Sequence, residues 1–229
     1  MKQTSKTNRL KVLSIALFML AGTALYHPAL AAGNILATIA SESQLLGTDN
    51  LTVILLDLGR STDQAQSQAN LKTYQSIYTL DSQISSVVKM TINDFITYGT
   101  PSTLKLGAGE RAGVVNSYFQ AFKKMPATQA DWSDVLKIAN GRWPGVTSAA
   151  AEAQAKIEFK KVYGRAPSMS VSRDSNAVTI IAYGLLPSGR NLASEKAAIK
   201  TFEYYYGFAP SSALAWNVVR AIAYSGASR

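Results

Sequence analysis

The sequence predicts an all-α protein built from helical hairpins, on three observations. Three glycines, Gly99, Gly141 and Gly184, are each followed eleven positions later by a glutamate. The glycines lie 42 and 43 residues apart, a period typical of helical-hairpin repeats. Apolar residues between them recur at intervals of three and four, as on the buried face of a helix. We therefore expect about three and a half hairpins between residues 99 and 229.

Each repeat carries the same anchor residues. A glutamate begins the first helix, where the unpaired amides of the first turn favour a negative charge, so we expect a structural role for it. A proline separates the two helices, and a tryptophan in two of the repeats is expected in the core. In a linear stack, equivalent glutamates would lie a repeat's thickness apart. The anchors are Glu110, Glu152 and Glu195, Pro126, Pro167 and Pro210, and Trp132 and Trp216.

Glycines also predict where the first helix of each hairpin ends. Gly164 and Gly207 each precede a proline by three residues and are placed to take the left-handed conformation that ends a helix. The first repeat has Lys123 and Lys124 instead, so we expect its helix to end less sharply.

An N-terminal region over residues 32–98 precedes the repeats. Residues 32–59 are apolar and interrupted by glycine, which indicates two short helices, with a strand over 51–58 as the alternative. Apolar residues at intervals of three and four then predict one long amphipathic helix over 62–98. Its apolar stripe could pack on the repeats or pair with a second copy as a coiled coil.

Residues 1–31 have the pattern of a secretory signal peptide: basic residues, an apolar stretch, and an A-x-A site before Ala32. An uncleaved anchor is the alternative, but the apolar stretch is short for a span. We therefore expect an exported protein with no transmembrane span after cleavage. It would be extracellular or associated with the cell surface, or periplasmic where the cell has an outer membrane.

The composition excludes several kinds of catalytic site. His27 is the only histidine and lies in the predicted signal peptide, and the chain has no cysteine. Ser-His-Asp and Cys-His catalysis and imidazole or thiolate zinc sites are therefore excluded in the mature protein. We predict no cofactor and no enzymatic activity. The alternative is a carboxylate-dependent hydrolase of cell-wall glycan, for which Glu152, Glu158 and Glu195 are the candidates.

The distribution of charged and aromatic residues indicates which kinds of partner the protein could bind. Residues 32–99 carry three basic and six acidic side chains, and residues 100–229 carry sixteen basic and eight acidic. This asymmetry favours contact with anionic surface polymers or head-to-tail self-association, although it is also compatible with a solvated basic surface. We expect no nucleic-acid partner. The candidate contact residues are the loop pair Arg142 and Trp143 and the cluster Lys123, Lys124, Lys160, Lys161 and Arg165.

Three strings, GERAGVVNSY at 109–118, NGRWP at 140–144 and AIAYSG at 221–226, extend through the repeat region. They resemble repeat modules of predicted secreted proteins from uncultured, small-genome bacteria, over about residues 97–229. The resemblance implies an extracellular repeat module and transfers no functional residues. Together these observations predict an exported, non-enzymatic module for binding or assembly at the cell surface.

Overall fold

The computed structural model describes residues 64–229, and this part of the chain is helical throughout, with no β-strand. The predicted signal peptide over 1–31 and the alternatives for 51–58 lie outside the described residues. The helices are α1 (Gln64–Thr73), α2 (Gln75–Tyr78), α3 (Ser86–Tyr98), α4 (Ala108–Phe122), α5 (Gln129–Ala139), α6 (Ala149–Tyr163), α7 (Ser172–Tyr183), α8 (Leu192–Tyr206) and α9 (Ala213–Tyr224), with a 3₁₀ turn at Pro101–Thr103.

The single long helix predicted over residues 62–98 is wrong. The chain turns between α2 and α3, where the Asp81 carboxylate accepts the backbone N–H of Gln83 at 2.9 Å. Ser85 then caps α3 by accepting the N–H of Val88. Aspartate and serine compete for backbone amides in this way, so they favour turns and caps over helix interiors. The turn lets α1 pack on α3, which removes the coiled-coil alternative.

Long and short helices alternate from Ala108 onward. Helices α4, α6 and α8 have fifteen residues each, and α5, α7 and α9 have eleven or twelve. Gly164 and Gly207 end α6 and α8 in the left-handed conformation, as predicted. Lys123 takes the same conformation with φ of 57°, so α4 ends as sharply as the others and our expectation for it was wrong. Pro126, Pro167 and Pro210 lie in the connections between paired helices.

The glutamate anchors of two hairpins bind a tyrosine from the partner helix. Tyr183 at the end of α7 donates its hydroxyl hydrogen to Glu152 at 2.7 Å and accepts the N–H of Ser148 at 2.9 Å. Tyr224 at the end of α9 makes the same 2.7 Å bond to Glu195. Each tyrosine thereby joins the end of one helix to the beginning of the other, an interaction of these glutamates that was not predicted.

The hairpins close on one another instead of forming a linear stack. Helix α4, from the first hairpin, packs against α9, from the last, as well as against α3, α6 and α7. At this contact Ser117 of α4 donates a buried 3.0 Å hydrogen bond to Asn217 of α9. In a solenoid each repeat touches only its neighbours. The expectation of a linear pile therefore fails, and α4 lies at the centre of the described residues.

Aromatic residues fill the core between the helices. Trp132 is fully buried, with its ring 5.4 Å from that of Phe95 in an edge-to-face contact, so its predicted place in the core is confirmed. Trp216 is 42% exposed, and the same prediction for it is wrong. The difference arises because α3 covers Trp132, whereas Trp216 faces the loop over residues 185–190 and borders a pocket.

Candidate functional site

A loop over residues 185–190 connects α7 to α8 and separates two pockets. Its first residues are fixed: Leu185 and Leu186 are buried, and the N–H of Leu186 donates to the carbonyl of Ile138 at 3.1 Å. Gly141 permits this close approach, since a Cβ at that position would lie 2.5 Å from the Leu186 carbonyl oxygen. Two of the anchor glycines, Gly141 and Gly184, therefore position this loop.

The first pocket, called the Trp143 pocket below, has a volume of about 450 Å³. Trp143 is 50% exposed and forms part of its wall. The loop that carries Trp143 is held by Asp134, whose carboxylate accepts the N–H groups of Gly145 and Val146. Arg142 is exposed and does not border the pocket. The remaining wall includes Asn140, Asn176, Ile180, Pro187 and Tyr224.

The second pocket, called the Trp216 pocket below, has a volume of about 380 Å³ and shares residues 186–188 with the first. The indole of Trp216 forms one side of it. Unlike the first pocket, it carries a group of charged side chains: Lys105, Glu110, Arg190, Glu195 and Arg220.

Arg190 brings two repeat glutamates together. Its guanidinium is 2.9 Å from the Glu195 carboxylate and 3.6 Å from that of Glu110. The expectation that equivalent glutamates lie apart therefore fails for this pair, because the closure of α4 onto α9 brings the first and last hairpins side by side. In the first hairpin, Asn140 occupies the position of the tyrosine that hydrogen-bonds the glutamate in the other two hairpins.

Arg220 on α9 also faces the Trp216 pocket. Its Nη1 donates to Asn217 at 2.8 Å, and burial lowers the pKa of its guanidinium below the usual value. Gly113 on α4 lies beside it, and a Cβ there would lie 3.4 Å from Nη2, at the edge of ordinary van der Waals contact. A largely buried arginine at the border of a pocket is poised to interact with a ligand.

The three candidate glutamates of the hydrolase alternative do not form a catalytic pair. Glu152 is bound by Tyr183, and Glu158 accepts hydrogen bonds from Gln154 and Tyr206; neither borders either pocket. Burial alone would raise the pKa of Glu195, but Arg190 and Tyr224 together lower it. A general acid requires the opposite shift, so Glu195 is suited to remain ionised.

Three of the five candidate polymer-binding cations make ion pairs or ring contacts within the protein. Lys124 pairs with Asp131 at 2.7 Å, and the ammonium of Lys161 lies 3.8 Å from the centre of the Tyr206 ring. Arg165 pairs with Asp174 and donates to the carbonyl of Ser228. Among the described residues, only Lys123 and Lys160 of this cluster make no ion pair or ring contact.

Within residues 64–229, no three acidic side chains cluster closely enough to hold a metal ion. Every helix in that range is also too short or too polar to cross a lipid bilayer. Comparison with protein-family models, with curated proteins and with solved structures found no match for the chain.

Only part of this site was predictable from the sequence. Trp143 was predicted as an exposed contact residue, and it forms part of a pocket wall. Lys105, Arg190 and Arg220 were not predicted. The pair of Arg190 with Glu195 had one local signal, since the two residues are five positions apart in the sequence. The pair of Arg190 with Glu110 depends on the packing of distant helices, which no local sequence pattern indicates.

Proposed function

We propose that this protein is an exported, non-enzymatic binding module and that its binding surface is the pair of pockets beside loop 185–190. One observation supports the proposal above the others: Trp143 and Trp216 are half-exposed on opposite sides of a loop that is fixed to the core. Half-exposed tryptophans at pocket walls are typical of binding surfaces, because the ring supplies a large contact area at low entropic cost.

The proposal also includes the finer architecture and the location. The hairpins α4–α5, α6–α7 and α8–α9 would be copies of one unit of 42 or 43 residues, followed by a truncated copy that begins at Tyr224, and residues 32–98 would form a separate N-terminal helical region. Export would follow from the signal peptide over 1–31. The charged network supports a binding role over hydrolysis, since Arg190 and Tyr224 lower the pKa of Glu195 and favour its ionised form.

The test expresses the full chain, recovers the exported product, and confirms by mass that it begins at Ala32. Two probes are then used: purified bacterial cell-wall sacculi in a co-sedimentation assay, and the protein itself in sedimentation velocity over a wide concentration range. Trp143→Ala and Trp216→Ala are expected to weaken binding to one of these probes at least fivefold each. Tyr204→Ala is the matched control, because Tyr204 is 81% exposed and borders neither pocket.

Two results would contradict the proposal. Absence of binding to both probes would remove the cell-surface function. Binding that is equally strong in the two tryptophan variants and in the Tyr204 control would place the binding surface elsewhere on the molecule.

A further inference from the structure

The Trp216 pocket holds two cationic groups, Lys105 and Arg220, that pair directly with no acidic side chain of the described residues. Arg190 is paired with both Glu110 and Glu195. Among the described residues, no carboxylate lies within 4 Å of the side-chain nitrogens of Lys105 or Arg220. Three cations against two anions leave the pocket with one net positive charge, which a monovalent anion would balance.

Arg220 has hydrogen-bonding capacity left over. A guanidinium has five N–H donors, and the described part of the chain supplies one acceptor, the Asn217 side-chain oxygen at 2.8 Å. The remaining donors are accessible from the pocket, since Trp132 Nε1 is the only fully buried side-chain polar atom without a hydrogen-bond partner among the described residues. The partly buried position of Arg220 strengthens any bond that these donors form to an anion. A planar guanidinium matches the two oxygens of a carboxylate especially well.

Apart from Ser188, the rest of the pocket wall is apolar. It consists of Leu106, Leu186, Pro187, Trp216 and Val219. A volume of about 380 Å³ is at the lower end of the range for small-molecule sites. The ligand group should therefore be small, with one anionic end and an apolar body.

We propose that the Trp216 pocket binds the carboxylate of a ligand whose body is apolar, with the carboxylate on Arg220 and the body against Trp216. This inference rests on the proposed binding function and names its ligand chemistry. The carboxylate could belong to a free organic acid or to the last residue of a peptide. A phosphate dianion fits less well. Its two negative charges exceed the single net positive charge of the pocket, and they would be repelled by Glu110 and Glu195.

Calorimetry with four probes tests the chemistry: N-acetylphenylalanine, the tripeptide Ala-Ala-Phe, and the C-terminal amide of each. Each acid is expected to bind at least tenfold more tightly than its amide. Tighter binding of the tripeptide than of the amino acid would assign the site to peptide termini, and equal binding would assign it to free acids. Equal affinity of acid and amide would overturn the inference.

Variants separate the two contacts. Arg220→Gln should abolish the difference between acid and amide, whereas Trp216→Ala should weaken both by a similar factor. Arg173→Gln is the matched control, because Arg173 is exposed and borders neither pocket. If Arg220→Gln does not fold, Lys105→Gln replaces it, since Lys105 is exposed and its loss should reduce acid binding severalfold.

The two proposals fail in different ways. If acid and amide bind equally while the tryptophan variants still lose sacculus binding or self-association, the carboxylate site is refuted and the binding module stands. If a folded Arg220→Gln variant keeps the preference for the acid, Arg220 is not the anion-binding group. If the tryptophan variants bind sacculi and themselves like the control, the binding module itself is refuted.

Discussion

Gly184→Ala is expected to destabilise the protein strongly, because the closed packing depends on this glycine. Gly184 ends α7 with φ of 71°, and a Cβ there would lie 2.5 Å from the Cβ of Ser117 and 2.6 Å from the side-chain oxygen of Asn217. These two residues form the buried hydrogen bond between α4 and α9. The added methyl group would therefore overlap the two side chains whose hydrogen bond joins the first hairpin to the last.

The magnitude follows from two costs. A left-handed conformation costs a residue with a Cβ about 1–2 kcal/mol, and overpacking a buried site adds about 1–3 kcal/mol. We expect Gly184→Ala to lower the free energy of unfolding by about 2–5 kcal/mol. Gly207→Ala is the matched control: Gly207 has φ of 76°, but nothing lies within 4 Å of the added Cβ. Its cost should be about 1–2 kcal/mol, from the backbone alone.

Urea denaturation followed by circular dichroism distinguishes these values. With a slope of about 2 kcal/mol per molar urea, the midpoint should fall by about 1–2.5 M for Gly184→Ala. The fall for Gly207→Ala should be about 0.5–1 M. Equal midpoints for the two variants would refute the close approach of α7 to the α4–α9 contact, and with it the closed arrangement of the hairpins.

Two further predictions concern buried polar groups. Tyr183→Phe should cost about 1.5–3 kcal/mol in urea denaturation, because it removes the bond to the Glu152 carboxylate from a fully buried ring. Burial raises the pKa of Asp94 to about 6, so the folded state binds more protons than the unfolded state between about pH 4 and 6, and stability falls as the pH rises through that window. Asp94→Asn should therefore raise the free energy of unfolding at pH 7 by about 1–3 kcal/mol and change it little at pH 4.

Each of these predictions has its own control. Tyr224→Phe removes the equivalent bond, but Glu195 keeps Arg190 as a partner, so a loss as large as that of Tyr183→Phe would contradict the reasoning. Glu203→Gln changes an exposed carboxyl on α8 and should leave the pH profile unaltered. A gain for Asp94→Asn that is the same at pH 4 and pH 7 would show that burial of the charge is not its cause.

Local signals in the sequence were enough to predict the helices after residue 107 and the ends of α6 and α8, but not the turn between α2 and α3. Gly164 and Gly207 end their helices as expected, since a left-handed residue is the commonest way to stop a helix and glycine takes it freely. Lys123 adopts the same conformation against its preference. The tertiary contacts of α4 outweigh a local cost of about 1–2 kcal/mol, and no local rule records them.

Packing between distant helices could not be predicted from the repeat. Repetition indicates that units are alike, and a linear stack is only one way of joining like units. Contacts between residues that are distant in the sequence decide which arrangement forms. One example is the hydrogen bond of Ser117 with Asn217, which lies 100 positions later in the chain. The contact of Arg190 with Glu110 and the exposure of Trp216 both depend on that choice, so neither could be read from spacing.

The candidate site lies where the repeat is broken. In two hairpins a tyrosine binds the anchor glutamate, but Asn140 stands at that position in the first hairpin, which leaves Glu110 available for Arg190. Arg190 is therefore neutralised by two glutamates, so the positive charge in the Trp216 pocket belongs to Lys105 and Arg220. Restoring the repeat with Asn140→Tyr would give Glu110 a competing hydrogen-bond partner and should weaken its contact with Arg190, while the net charge of the Trp216 pocket stays the same.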